Sequence, residues 1–162
     1  MSSKKTTKKT AKKTVAKSSV KHSNLLNFKN FIFSSCAAFI FIFIYEYITH
    51  GIILSSEYQK TSNLWRNSFE MQSYIYYAFM SQFAFAAILT YIYLKTITEK
   101  SLILSLKFGL MAGLFMGIIQ SASYSFMPIT LTLALSWFFF AIMETIFISL
   151  IIYFMQKNNG KS

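Results

Sequence analysis

The sequence is short of nearly everything a soluble domain uses to make turns and a wettable surface. It has one proline, five glycines and one cysteine in 162 residues, and only 13% of those residues are charged. The single cysteine, Cys36, excludes an intrachain disulfide and a thiolate metal site. Within a helix it reads as a small apolar packer. Acidic side chains number five, and none precedes Glu46. So little charge and so few breakers do not suit a soluble fold of this length.

What is present is apolar: 54% of the chain is hydrophobic and 19% aromatic. The charge is segregated. Nine of the sixteen basic residues, all lysines, lie within the first 30 positions, and the remainder holds seven basic and five acidic groups. The net charge of +11 therefore belongs mostly to the N-terminal segment.

A membrane-crossing helix needs about 20 mostly apolar residues. Four segments qualify, at residues 28–54, 71–95, 102–127 and 129–156. They are apolar nearly all round, as helices facing lipid and one another are; a membrane barrel would show alternating segments of about ten residues. The expected fold is all-α, a four-helix transmembrane bundle with a disordered Lys-rich tail over residues 1–27 and a short C-terminus at 157–162. Pro128 falls at the third junction, where it can end one helix and start the next. The first span is too long for the apolar core of a cleaved signal and lacks a small-x-small site after it, so it reads as a retained helix.

Lysines and arginines near the spans give the orientation. The tail, the Lys95/Lys100/Lys107 region and the Lys157/Lys161 end fall on one side of a four-span path. The other side has only Lys60 and Arg66, accompanied by Glu57 and Glu70. Both termini are expected in the cytoplasm.

Residues 4–15 read KKTT-KKTA-KKTV, a low-complexity repeat with too little apolar surface to build a core. Three roles are open to it: reinforcing topology, attraction to anionic lipid headgroups, and non-specific contact with nucleic acid. The absence of arginine and aromatic residues argues against base readout or stacking.

The informative residues are polar groups inside the spans. Glu46 and His50 are four positions apart, on one helical face, and Glu57 would continue that face. With the outer boundary near residue 55, Glu46 lies about 13 Å below it at 1.5 Å per residue. Glu144 sits mid-way along the fourth span, on the face of Trp137, and the second and third spans carry Gln82 and Gln120. Ionisable groups at that depth turn inward, pair or lose their charge. The economical arrangement turns all of these groups toward a shared interior. There they could bind an ion, a proton or a small ligand, or simply hold helices together by hydrogen bonds. Glu46, His50 and Glu144 are the weak candidates for a metal, but E-x-x-x-H is not a protease motif. No cofactor is implied, and no nucleophile–base pair or phosphate loop supports an enzyme.

Two further features stand out. Gly109, Gly113 and Gly117 form a double G-x-x-x-G face for close helix packing, within the bundle or, alternatively, in a homo-oligomer. The outer loop, residues 55–70, carries Tyr58, Trp65 and Arg66, which suit an interfacial anchor or a gate over the mouth. A short interfacial helix is expected there, with Arg66 either on lipid phosphate or paired with Glu70.

The stretch YEYITHGIILSSEYQKTSNLWR, with Met71, the Gly-rich third span and the Trp and Glu of the fourth, resembles an uncharacterised family of small bacterial four-helix inner-membrane proteins. The resemblance covers about residues 30–155 and departs at Asn67, where the family pattern has proline. It implies no activity. It singles out Glu46, His50, Gly51, Trp65, Arg66, Trp137 and Glu144. The functional expectation is a multi-pass membrane protein with a polar intramembrane site; the alternative is a structural or assembly protein whose polar groups only join helices.

Overall fold

The computed structural model describes residues 28–158, and the Lys-rich tail and its proposed roles lie outside them. Among the described residues all regular structure is helical. Four helices are long and apolar enough to cross a membrane: Phe28–Ile53, Ile75–Thr96, Leu102–Ser125 and Leu131–Lys157. The first is α1. The short helices α2 (Ser55–Lys60) and α3 (Ser68–Ser73) build the loop to α4 (Ile75–Thr96). Next come α5 (Leu102–Ser121), extended by a 3-10 turn at Ala122–Ser125, and α6 (Leu131–Asn158). The all-α four-span bundle expected from the apolar runs is the architecture observed.

The helix ends have local causes. Asn67 Oδ1 accepts the Glu70 N–H at 2.9 Å and starts α3. Asn67 has φ −67°, the value a proline would impose, so the loop turns as a proline would turn it and gains a cap besides. Ser101 Oγ caps α5 through the Leu104 N–H. At the third junction the start signal is Thr130, whose Oγ1 accepts the Leu133 N–H at 3.1 Å, two residues beyond Pro128.

α6 is the central helix. Its most apolar window is 33% buried, against 17–22% for the other three spans. Two apolar clusters lie at opposite ends of it. One joins Ala38 and Ile42 of α1, Ala86, Leu89 and Tyr93 of α4, and Ile148 and Ile152 of α6. The other joins Leu54, Ile129, Leu133 and Ala134, with Tyr58, Trp65 and Trp137 packed on it. Lys100 Nζ donates to the Gln156 carbonyl at 2.8 Å, so the α4–α5 loop lies beside the end of α6, while the loop after α1 lies beside its start. Large apolar side chains such as Phe33, Phe83, Met111 and Phe139 point outward. Water would not tolerate so much contiguous apolar surface; lipid does. Cys36 is among the outward-facing residues, not packed inside as expected. On a lipid-facing helix an apolar side chain has no need of the core.

α5 and α6 form the closest pair. A Cβ added at Gly113 would stand 2.5 Å from the Ile142 Cα and press on the Thr145 hydroxyl. One added at Gly109 would stand 2.7 Å from the Ile146 Cα, and one at Gly117 2.8 Å from the Phe138 carbonyl oxygen. The glycine face is thus used inside the chain, against α6. Thr145 Oγ1 donates across the seam to the Gly109 carbonyl at 2.8 Å, which glycine's missing side chain makes reachable.

Candidate functional site

The last two turns of α1, Tyr47–Ile53, are wound as a π-helix, closed by the Leu54 N–H to the Thr49 carbonyl at 2.9 Å. The wider i→i+5 winding takes in an extra residue and shifts the phase of everything that follows. Glu46 precedes it and His50 lies within it, and His50 Nε2 still meets Glu46 Oε2 at 3.2 Å. The face is not continued by Glu57, as straight α-helical spacing expects, but by Tyr58. The Tyr58 hydroxyl lies 2.5 Å from His50 Nδ1. It also accepts the Trp137 indole N–H from α6 at 2.9 Å.

This fixes a consistent set of protons. Trp137 donates to the Tyr58 oxygen, which leaves the Tyr58 hydrogen for His50 Nδ1. Neutral His50 then carries its proton on Nε2 and donates it to Glu46 (a tautomer assigned from the partners). Burial pushes the Tyr58 hydroxyl up to about 12, against the Trp137 N–H, which favours the phenolate. The phenol therefore stays protonated and keeps a hydrogen to donate. The result is one connected line of four side chains, from a carboxyl inside the first span to an indole on the last.

Around it stands an aromatic wall. The Tyr58 and Trp65 rings meet edge to face at 5.2 Å, and Trp65 and Trp137 at 6.4 Å. Trp65 Nε1 donates to the buried Thr61 Oγ1 at 3.0 Å, which holds the indole over the mouth. Glu57, displaced from the Glu46 face, reaches α6: Thr130 Oγ1 donates to its Oε2 at 2.9 Å, and Lys60 Nζ to its Oε1 at 2.5 Å. The Lys60 hydrogen bond, with that of Thr130 behind it, holds the Glu57 carboxyl below its ordinary range. Its negative charge sits beside the first turn of α6, where the helix dipole favours an anion.

The other predicted residues divide. Glu144 is buried at 6% exposure, and its Oε1 has no hydrogen-bond partner among the described residues. It lies close enough to Glu46 for the two carboxyls to interact electrostatically, without a hydrogen bond between them. Tyr45 donates to the Phe140 carbonyl of α6 at 2.9 Å. Gln82 and Gln120 are half-buried and make no side-chain hydrogen bond to this group. Glu46 and His50 are thus paired, while Glu144 and the two glutamines make no hydrogen bond to that pair. Among the described residues no three His, Cys, Asp or Glu side chains come together as a metal-binding group, Glu46, His50 and Glu144 included. Arg66 lies over the Tyr74 ring, 4.0 Å from its centroid, instead of pairing with Glu70. Glu70 is drawn into the first turn of α3 by the Asn67 cap, and the guanidinium takes the ring face that remains.

Sequence reasoning missed Tyr45, Thr61, Thr130 and Thr145. For Thr145 a signal existed: Ala141, Thr145 and Ser149 repeat at four residues and mirror Gly109, Gly113 and Gly117. For the others nothing local marks the partner, because each bonds to an element distant in the chain or only to a turn.

Comparison with protein-family models, with curated proteins and with solved structures returns no match. The fold and the placement of apolar surface define the class: a helical integral membrane protein of four spans.

Proposed function

We propose that Glu46, His50 and Tyr58 form a proton relay between the interior of the bundle and its outer mouth. The single observation that carries this is that His50 uses both ring nitrogens, Nε2 toward a carboxylate at 3.2 Å and Nδ1 toward a phenol at 2.5 Å. Imidazole so placed can accept a proton at one nitrogen and release one at the other, and histidine changes charge in the physiological pH range. Intramembrane ionisable groups mark ion and proton pathways by default. Glu144, buried on α6 and within electrostatic range of Glu46, is the other carboxyl of the spans. The Lys/Arg asymmetry supports both termini in the cytoplasm, so the mouth faces outward, and the resemblance supports a bacterial inner membrane. The resemblance to small four-helix inner-membrane proteins points to Glu46 and His50 of the three, and to Glu144.

The test is proton flux in liposomes holding a pH-sensitive dye, driven by a potassium diffusion potential. Wild type is expected to acidify the lumen faster than empty liposomes do. Glu46→Gln and His50→Asn, which keep hydrogen bonding and lose titration, are expected to abolish the excess, while Glu57→Gln leaves it intact. Wild-type flux equal to that of empty liposomes would sink the reading.

A second reading, an assembly or structural protein, is favoured by one specific observation. Tyr58 and Glu57 both tie α2 to α6, through Trp137 and Thr130. Under that reading the substitutions lower stability and leave wild-type behaviour otherwise unchanged.

A further inference from the structure

Between α4 and α5 runs an open, wholly apolar groove of about 500 Å³, within the 300–1,000 Å³ range of small-molecule sites. Phe85, Ile88 and Ile92 form one wall and Met111, Ala112 and Phe115 the other. Nothing polar lines it, so an occupant must be a hydrocarbon chain or another apolar helix face.

The rim decides between them. Lys95 follows Ile92 by three positions and Ile88 by seven, so it extends the α4 wall toward the α4–α5 loop. Lys107 precedes Met111 by four and extends the α5 wall toward the same end. Because the two helices run antiparallel, both lysines fall on the same lip of the groove. The opposite lip is marked by Tyr93 and Gly109, both buried, with the Tyr93 hydroxyl 2.6 Å from Ser105 Oγ on α5. The lysine lip is therefore the outer one, and both lysines are exposed.

Lys107 is the telling residue. It lies five residues inside α5, about 7.5 Å from its start at 1.5 Å per residue. Among the described residues it has neither an ion pair nor a hydrogen bond. A cation so placed in a span is costly unless it snorkels to an anion at the interface. A second protein helix in the groove would leave Lys107 unanswered and Lys95 with only the Tyr91 ring, whose centroid lies 5.7 Å from its Nζ. A lipid with an acyl chain in the groove and a phosphate at its end answers them, and basic pockets between membrane helices are the sites where anionic headgroups collect.

We propose that the α4–α5 groove is a binding site for one anionic phospholipid, its acyl chain along Phe85, Ile88, Met111 and Phe115 and its phosphate held by Lys95 and Lys107. The site is separate from the Glu46–His50–Tyr58 relay and does not depend on it.

The experiment is native mass spectrometry of the full chain in detergent, titrated with phosphatidylglycerol or phosphatidylcholine. Wild type is expected to retain one phosphatidylglycerol and to prefer it to phosphatidylcholine. Lys95→Gln and Lys107→Gln are each expected to weaken that retention about fivefold, the contribution of one lysine near an anionic surface. Lys107→Arg keeps the charge and is expected to keep the lipid. Ala112→Phe fills the groove and is expected to expel both lipids. Both lysines are exposed and removing them leaves the core intact, so these substitutions report even where the groove-filling variant fails to fold. Equal retention of the two lipids, or glutamine variants that hold phosphatidylglycerol as wild type does, overturns the proposal. So does an Ala112→Phe protein that keeps its lipid but changes from dimer to monomer, since the groove is then an interface between copies.

Discussion

The α5–α6 seam and the mouth built by α1, α2 and α6 both keep polar groups away from hydrocarbon, and they do so by opposite means. In the seam the polar atoms are hydroxyls and their partners are backbone. Thr145 serves the Gly109 carbonyl across the seam and the Ala141 carbonyl on its own helix, and Ser149 serves the Thr145 carbonyl. Nothing there titrates, and the glycines bring the backbones together until no side chain fits between them. At the mouth the partners are side chains, and two of them, Glu46 and His50, are ionisable and one-third exposed. A seam satisfied by backbone is closed and rigid. A mouth joined through an imidazole can hold its protons in more than one arrangement, since the ring nitrogens exchange donor and acceptor roles with the tautomer, and the proposed relay rests on that difference.

The hardest break of this contrast is in the seam. Gly113→Leu must push α5 and α6 apart, because even a Cβ would meet the Ile142 backbone. The expected cost is about 3 kcal/mol or more, at the upper end of overpacking effects. Denaturation in mixed micelles, followed by helical circular dichroism, measures it. A loss below about 1 kcal/mol would mean that the seam yields and is not the rigid half of the molecule.

At the mouth the effect is smaller and its pattern matters more. Tyr58→Phe strips a partner from both His50 Nδ1 and the Trp137 N–H, and is expected to cost about 1–3 kcal/mol. Trp137→Phe on the Tyr58→Phe background should then cost less than it does alone, because the indole N–H is already without its acceptor. Additive losses in that cycle would show that the two side chains do not act as one network.

The two regions also differ in how far they could be read from the sequence. The spans and the glycine face were legible because each is a property of one helix: an apolar run, or a four-residue repeat. The pairing of Glu46 with His50 was legible for the same reason. The step to Tyr58 was not. It depends on the π-helix at Tyr47–Ile53, which moves the shared face from Glu57 to Tyr58, and no residue in YITHGII announces that winding. Trp137 is 79 positions from Tyr58, so their contact needed the path of the loop and not only the spacing within α6. Gln82 and Gln120 were overread: depth and polarity place a residue in the bilayer, but only helix rotation decides what it faces.

Glu57 sharpens the comparison by pH. Its folded pKa is lowered by Lys60 and Thr130, so its contribution to stability is fully present above the unfolded value of 4.5. It is lost as pH falls through the lowered folded value, because protonation removes the ionised form those partners favour. Melting profiles between pH 6 and about pH 3 should therefore show wild type losing stability that Glu57→Gln does not lose, relative to their values at pH 6. Parallel curves would remove Glu57 from the set of groups that fasten α2 to α6.

The smallest effect is expected at the one described glycine outside the seam, Gly51. Gly51 stands beside His50 in the π-helix, as conspicuous in sequence as Gly113, yet a Cβ there would meet only the Tyr47 ring, at 3.7 Å, an ordinary contact. Its φ is not positive, so alanine needs no strained backbone. Gly51→Ala is expected to leave stability unchanged or to raise it by up to about 1 kcal/mol, the helical preference of alanine over glycine. The same micelle denaturation checks it, with proton flux as the second readout. If stability holds and flux falls, the glycine serves mobility of the π-helical turn around His50, and the mouth is then the pliable partner of a rigid seam in motion as well as in protonation. If both hold, the contrast rests on side chains alone: glycine is required where backbones touch, and beside His50 it is not.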